Sequence, residues 1–156
     1  MSSHHGWKAN PSPRRGFTVV AADRETTQSP VVLGIDEPER GSWLLRPALD
    51  EAMGRSCELV VLDFAEIGLQ GWLRARAETG DREVAALHTL ASNPHVKIIP
   101  LELEADMLEH TVTYCESVRA GLLVIGAEQL APSIDRGLSK RIFAGEFDVL
   151  VVADGS

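Results

Sequence analysis

The chain has 156 residues, enough for one domain around one core and too few for two. Hydrophobic residues make up 44% and charged ones 24%, globular proportions that exclude a wholly disordered chain. Fifteen Lys and Arg against 23 Asp and Glu leave a net charge of −8, which excludes a nucleic-acid partner held on a basic face.

Residues 1–16, MSSHHGWKANPSPRRG, lack the apolar stretch of a secretory signal and show no structural period. They read as a mobile tail. Phe17–Ala22 predicts a short strand and Asp23–Pro30 a polar linker, so residues 1–30 form an N-terminal extension to a domain over 31–153. Val31–Ile35 is a continuous apolar run ending at Asp36, the pattern of a strand buried on both faces. Ser42 is the expected N-cap of a helix carrying Leu45, Ala48, Leu49 and Ala52; Pro47 is tolerable only in a first turn, which argues for a later start. Leu59–Phe64 is a second buried strand. Residues 65–80, with Gly68, Gly71, Trp72 and Gly80, read as an irregular connection.

The pattern then repeats. Asp81 to Ser92 predicts a helix with Val84, Leu87 and Ala91 on one face, and Val96–Leu101 a strand that Pro100 pushes to a sheet edge. Ala105–Arg119 is a helix with Leu108, Val112, Cys115 and Val118 as its apolar stripe, capped by Gly121. Leu122–Ile125 is a strand, Ile134, Leu138 and Ile142 mark a last helix, and Phe147–Val152 closes the domain. Alternating strands and helices predict an α/β fold, an open, doubly wound parallel sheet with helices on both faces. No apolar run reaches the roughly 18–20 residues of a membrane helix. A cytoplasmic domain with no membrane and no nucleic-acid partner is expected.

Cys57 and Cys115 read as small buried apolar residues, and the five histidines show no zinc-ligand spacing. Trp43 and Trp72 read as cover for core edges or for a partner surface.

Four segments in order resemble the universal stress protein family. VVLGID is similar to that family's opening strand ending in aspartate, and CELVVLDF to its second-strand block. LEADMLEHTVTYCESVRAGLLVIG resembles its third helix and fourth strand, and GLSKRIF followed by VLVV its last helix and closing strand. The likeness spans about residues 31–152. It implies a five-stranded parallel sheet of order 3-2-1-4-5, whose topological switch lies between strands 1 and 4, where ligands of such sheets bind. Asp36 and Gly126 end those two strands.

ATP-binding members of the family share a loop G-x2-G-x9-G-[ST] whose backbone N–H groups cradle phosphates. From Gly126 this chain reads GAEQLAPSIDRGLSKR. The second glycine is replaced by Gln129 and the third by Ser139 followed by Lys140, with Gly137 as a substitute only in a shorter loop. Glu37, Glu39 and Glu128 near the mouth repel a triphosphate, with Arg136, Lys140 and Arg141 as the cations that offset them. No G-x-S-x-G elbow, HExxH pair or P-loop is present. A phospho-accepting receiver domain fails on two counts, since Pro100-Leu101-Glu102 stands where its acceptor aspartate belongs and no lysine follows the last strand.

The sequence therefore points to a non-catalytic regulatory or interaction module with weak or lost nucleotide binding, no cofactor, and a protein partner. The alternative is an adenine-nucleotide sensor holding ATP through Asp36, Gly126 and Gly137. A homodimer is expected through the last strand, where Phe147, Val149, Leu150, Val151 and Val152 present an apolar edge that invites pairing; the alternative is a monomer whose own Phe17–Ala22 covers that edge as a sixth strand.

Overall fold

The computed structural model describes residues 17–20, 29–102, 106–130 and 136–153; the expected tail and most of the linker after it lie outside the described residues. One six-stranded sheet organises the chain. Its strands are β1 (Phe17–Val20), β2 (Val31–Ile35), β3 (Leu59–Asp63), β4 (Val96–Pro100), β5 (Leu122–Gly126) and β6 (Asp148–Val152), in the order β1-β6-β5-β2-β3-β4. The five strands from β2 to β6 run parallel in the expected order 3-2-1-4-5. Every residue of β2, β3 and β5 is buried, which is why these segments are unbroken apolar runs rather than alternating ones.

The helices are α1 (Pro38–Gly41), α2 (Leu45–Gly54), α3 (Leu69–Ala77), α4 (Arg82–Ala91), α5 (Met107–Val118), α6 (Ala127–Leu130) and α7 (Arg136–Ile142). From β2 to β4 the chain steps toward one edge, and from β4 it returns past β2 toward the other. Right-handed crossovers therefore place helices on opposite faces before and after the reversal. Leu45, Ala48 and Leu49 of α2, Leu69 and Leu73 of α3, and Val84 of α4 pack with Leu33, Val61 and Val124 on one face. Leu108, Val112 and Cys115 of α5 and Leu138 and Ile142 of α7 pack with Val32, Val60 and Leu123 on the other. Gly34 lets α5 come close: a Cβ there would fall on the Thr111 hydroxyl and lie 2.8 Å from Met107 Sδ.

Three local expectations are corrected, and one, the late start of the helix that holds Pro47, is met. Ser42 is no N-cap; it is buried in a single 3-10 turn (Ser42–Leu44) between α1 and α2. Because α2 starts at Leu45, Pro47 falls in its first turn, where a missing N–H is harmless. Residues 69–77 form a helix, α3, rather than an irregular connection; Leu69 and Leu73, four apart, are fully buried. The cap of α5 is Arg119 in the left-handed conformation (φ 54°), whereas Gly121 donates its N–H to Pro30 C=O at 2.8 Å.

The sheet also carries a strand beyond the expected five. β1 pairs antiparallel with β6, from Phe17 opposite Val152 to Val20 opposite Val149. The outer edge of β6 is thus covered from within the chain, and the edge strands of the sheet among the described residues are β1 and β4.

Candidate functional site

At the point where the sheet reverses, β2 and β5 part. Their ladder pairs Val31–Leu33 with Leu122–Val124 and stops there. The gap opens into a crevice of about 300 Å³ lined by Asp36 after β2, Arg40, Gly41, Trp43 and Leu44 of the following helical turns, Asp106, Met107 and Leu108 at the start of α5, and Gly126, Glu128 and Gln129 after β5. Open α/β sheets bind ligands at this place because two adjacent strands lead their connections to opposite faces.

Gln129 spans the gap. Its Oε1 accepts the Gly126 N–H at 2.8 Å, and its Nε2 donates to the Gly34 carbonyl at 3.4 Å. The side chain does what the missing rung of the ladder would do. A Cβ at Gly126 would meet nothing closer than Gln129 Oε1 at 3.6 Å, so packing does not demand glycine there.

The rim is acidic. Among the described residues that line it, Asp36, Asp106 and Glu128 face a single guanidinium, Arg40, which is paired with Glu37 at 2.6 Å. Asp106 is also the N-cap of α5, accepting the N–H groups of Leu108 at 2.8 Å and Glu109 at 3.3 Å. A fixed carboxylate thus takes the helix-end donors that an anion would seek.

The structure brings Asp36 and Gly126 together and leaves Gly137 out. Gly137 sits exposed in the first turn of α7 and does not line the crevice. Arg141, expected to offset the acidic mouth, is turned to α5: it donates to Glu116 at 2.7 and 3.1 Å and to Thr113 Oγ1 at 2.9 Å. Trp43 and Trp72 are partly buried against the core, Trp72 beneath the Arg76 guanidinium at 5.6 Å and Trp43 also facing the crevice.

The other strand-end carboxylate, Asp63, has a structural role. It is buried after β3 and accepts the N–H groups of Ala65 at 3.1 Å and Leu69 at 2.8 Å, the latter opening α3. Both cysteines are buried, and burial raises the Cys57 and Cys115 thiols above their ordinary range, away from nucleophilic chemistry. Among the described residues no group of three or more His, Cys, Asp or Glu could hold a metal ion, and no helix is long and apolar enough to cross a membrane.

A doubly wound domain with a crevice at its switch point is a common ligand-binding frame, and the particular version found here is that of the universal stress proteins. A crystal structure of a universal stress protein in complex with cAMP is 21% identical and covers 82% of this chain and 98% of its own, with a TM-score of 0.52. The universal stress protein of Archaeoglobus fulgidus in complex with dAMP is 16% identical over 81% of this chain and 99% of its own, with a TM-score of 0.49. A universal stress protein family member from Burkholderia pseudomallei is 18% identical over 85% of this chain and all of its own, with a TM-score of 0.44. No protein-family model and no curated protein matches the sequence.

Proposed function

We propose that this chain is a non-catalytic, universal-stress-protein-like regulatory or interaction module whose crevice no longer cradles a triphosphate. The observation carrying this reading is the Gln129 bridge. The Gly126 N–H that a phosphate would need is bonded to a side chain of the helical turn that follows it, at 2.8 Å. Among the described lining residues, three carboxylates against one paired arginine add a repulsive field. Among the described lining residues no nucleophile, base and oxyanion donor converge, which supports a binding role over a catalytic one.

The alternative is a nucleotide sensor. The cAMP-bound protein has this fold at 21% identity, and Gly126 keeps room at the strand end that packing alone does not require. Calorimetric titration with ATP, ADP and AMP in the presence of Mg²⁺ separates the two. Silence supports the closed cradle; micromolar affinity for any of the three establishes the sensor.

A homodimer remains part of the proposal in modified form. β6 is the apolar edge a second copy would use, and β1 must leave it first.

A further inference from the structure

Residues 1–16 and the crevice carry opposite charge. The segment holds three of the chain's 15 Lys and Arg (Lys8, Arg14 and Arg15) and none of its 23 Asp and Glu, a net +3 against −11 on residues 17–156. At the crevice, Asp36, Asp106 and Glu128 meet only Arg40 among the described lining residues, and Arg40 is held by Glu37. Within that rim, Trp43, Leu44 and Met107 form an apolar and aromatic wall. The segment has a single aromatic residue, Trp7, next to Lys8.

The register of the sheet brings the two into reach. Phe17 lies opposite Val152, and Val152 lies beside Gly126 at the crevice. One row across β1, β6 and β5 therefore runs from the residue that follows the segment to the crevice itself. Neighbouring strands stand about 4.8 Å apart, so the mouth between β5 and β2 is about 12 Å from β1. Trp7 precedes Phe17 by ten residues. At about 3.1 Å per residue, the extended spacing that Pro11 and Pro13 favour, that stretch spans about 31 Å. The crevice is within reach, with slack.

We propose that residues 1–16 dock on the crevice of their own chain, with Trp7 against the Trp43 wall and Lys8, Arg14 and Arg15 along the carboxylate rim. A tethered segment meets its site at an effective concentration of about 1 mM. Exposed ion pairs and one aromatic contact give a dissociation constant of the same order, so the docked form is about half populated. A twofold effect of that size leaves the melting temperature where it is, yet any ligand entering the crevice must first displace the segment. The segment is an internal competitor. This goes beyond the closed-cradle reading and does not use the Gln129 bridge.

Amide 15N–1H correlation spectra of the full chain test it, compared with Trp7→Ala and with the combined Lys8→Glu, Arg14→Glu, Arg15→Glu variant, at about 0.02 M and about 0.5 M salt. All four substitutions precede β1, so the sheet that reports on them is unaltered. At low salt both variants are expected to shift the amides of Trp43, Leu44, Gly126 and Glu128. At high salt the unaltered chain is expected to move toward the charge variant. Crevice amides unmoved by one variant or by both, shifts centred elsewhere on the domain, or shifts that grow with protein concentration and so place the segment on a second copy, each overturn the inference. Should a variant fail to fold, the salt series on the unaltered chain decides, and crevice amides that do not move with salt overturn it. No nucleotide is present in these samples, so ATP binding by the chain would overturn the closed cradle alone.

Discussion

Gln129 Oε1 stands 2.8 Å from the backbone nitrogen of Gly126, three residues earlier, so the last donor of β5 is bound by the helical turn that follows it. Its other amide atom reaches Gly34 across the sheet's reversal point. One side chain therefore fixes the junction of β5 with α6 and ties together two strands that have stopped pairing. A glycine at 129 would do neither, and would leave the crevice floor with a free donor and a free acceptor.

The rim charge is testable by reversal. Glu128→Lys turns three carboxylates against one cation into two against two among the lining residues. AMP affinity should rise by about 1 kcal/mol, and the gain should shrink as salt rises. Calorimetry with AMP at low and high ionic strength reads both effects; an unchanged affinity would show that the rim field plays no part in excluding phosphate.

The close approach of α5 to β2 depends on Gly34. Gly34→Ala places a methyl group against Thr111 and Met107 and should destabilise the fold by about 2 kcal/mol. Thr111→Ala removes the nearer obstacle, so the double variant should lose less than the two single losses added together. Urea denaturation of the four proteins measures this, and strict additivity would refute the contact.

Arg141 and Glu116 set a pH dependence. The Arg141 guanidinium holds the Glu116 carboxyl below its ordinary value, chiefly by direct hydrogen bonding. A carboxyl whose folded pKa is depressed stabilises the fold above its unfolded pKa, and that contribution is lost as pH falls through the folded value. Both side chains are about one third exposed, so the effect is small, about 0.5 kcal/mol. Glu116→Gln should reduce stability at neutral pH by that amount and leave stability in strong acid unchanged, as read by denaturant melts along a pH series. An equal loss at both ends of the series would rule out the ion pair as its cause.

Two truncations separate the tail from the strand that follows it. Removing residues 1–16 should leave the melting temperature unchanged, since their composition has little to bury. Removing residues 1–28 also takes away β1 and uncovers β6, so the protein should lose stability and self-associate. Light scattering at micromolar concentration follows the mass. A shorter protein that stays monomeric would contradict pairing through β6.

The legibility of the sequence follows the range of the forces involved. Buried parallel strands announce themselves as unbroken apolar runs, and Val31–Ile35, Leu59–Asp63 and Leu122–Gly126 stand close to where those runs place them. The helix α3 is hidden because Gly68, Gly71 and Gly80 read as loop signals while only Leu69 and Leu73 are fully buried in the core. The pairing of β1 with β6 joins residues far apart in sequence, and no local pattern chooses it over an edge shared with a second copy. At the site, the glycine lost at position 129 was visible in the loop spacing. That its replacement would reach Gly34, 95 positions earlier, was not. Arg141 was likewise placed near the mouth by its position in the chain, but the complementary charge of Glu116 on α5 draws it away.

The central claim is that the Gln129 bridge closes the phosphate cradle, and the most direct test is calorimetric titration of Mg²⁺-ATP into the full chain and into Gln129→Gly. The full chain should show no binding at micromolar concentrations. The glycine variant, with the Gly126 N–H freed and room for a phosphate beside it, should bind ATP at least about tenfold more tightly than the full chain, the scale of one charge-assisted hydrogen bond. Micromolar ATP binding by the full chain, or no gain in a folded Gln129→Gly variant, would contradict the account.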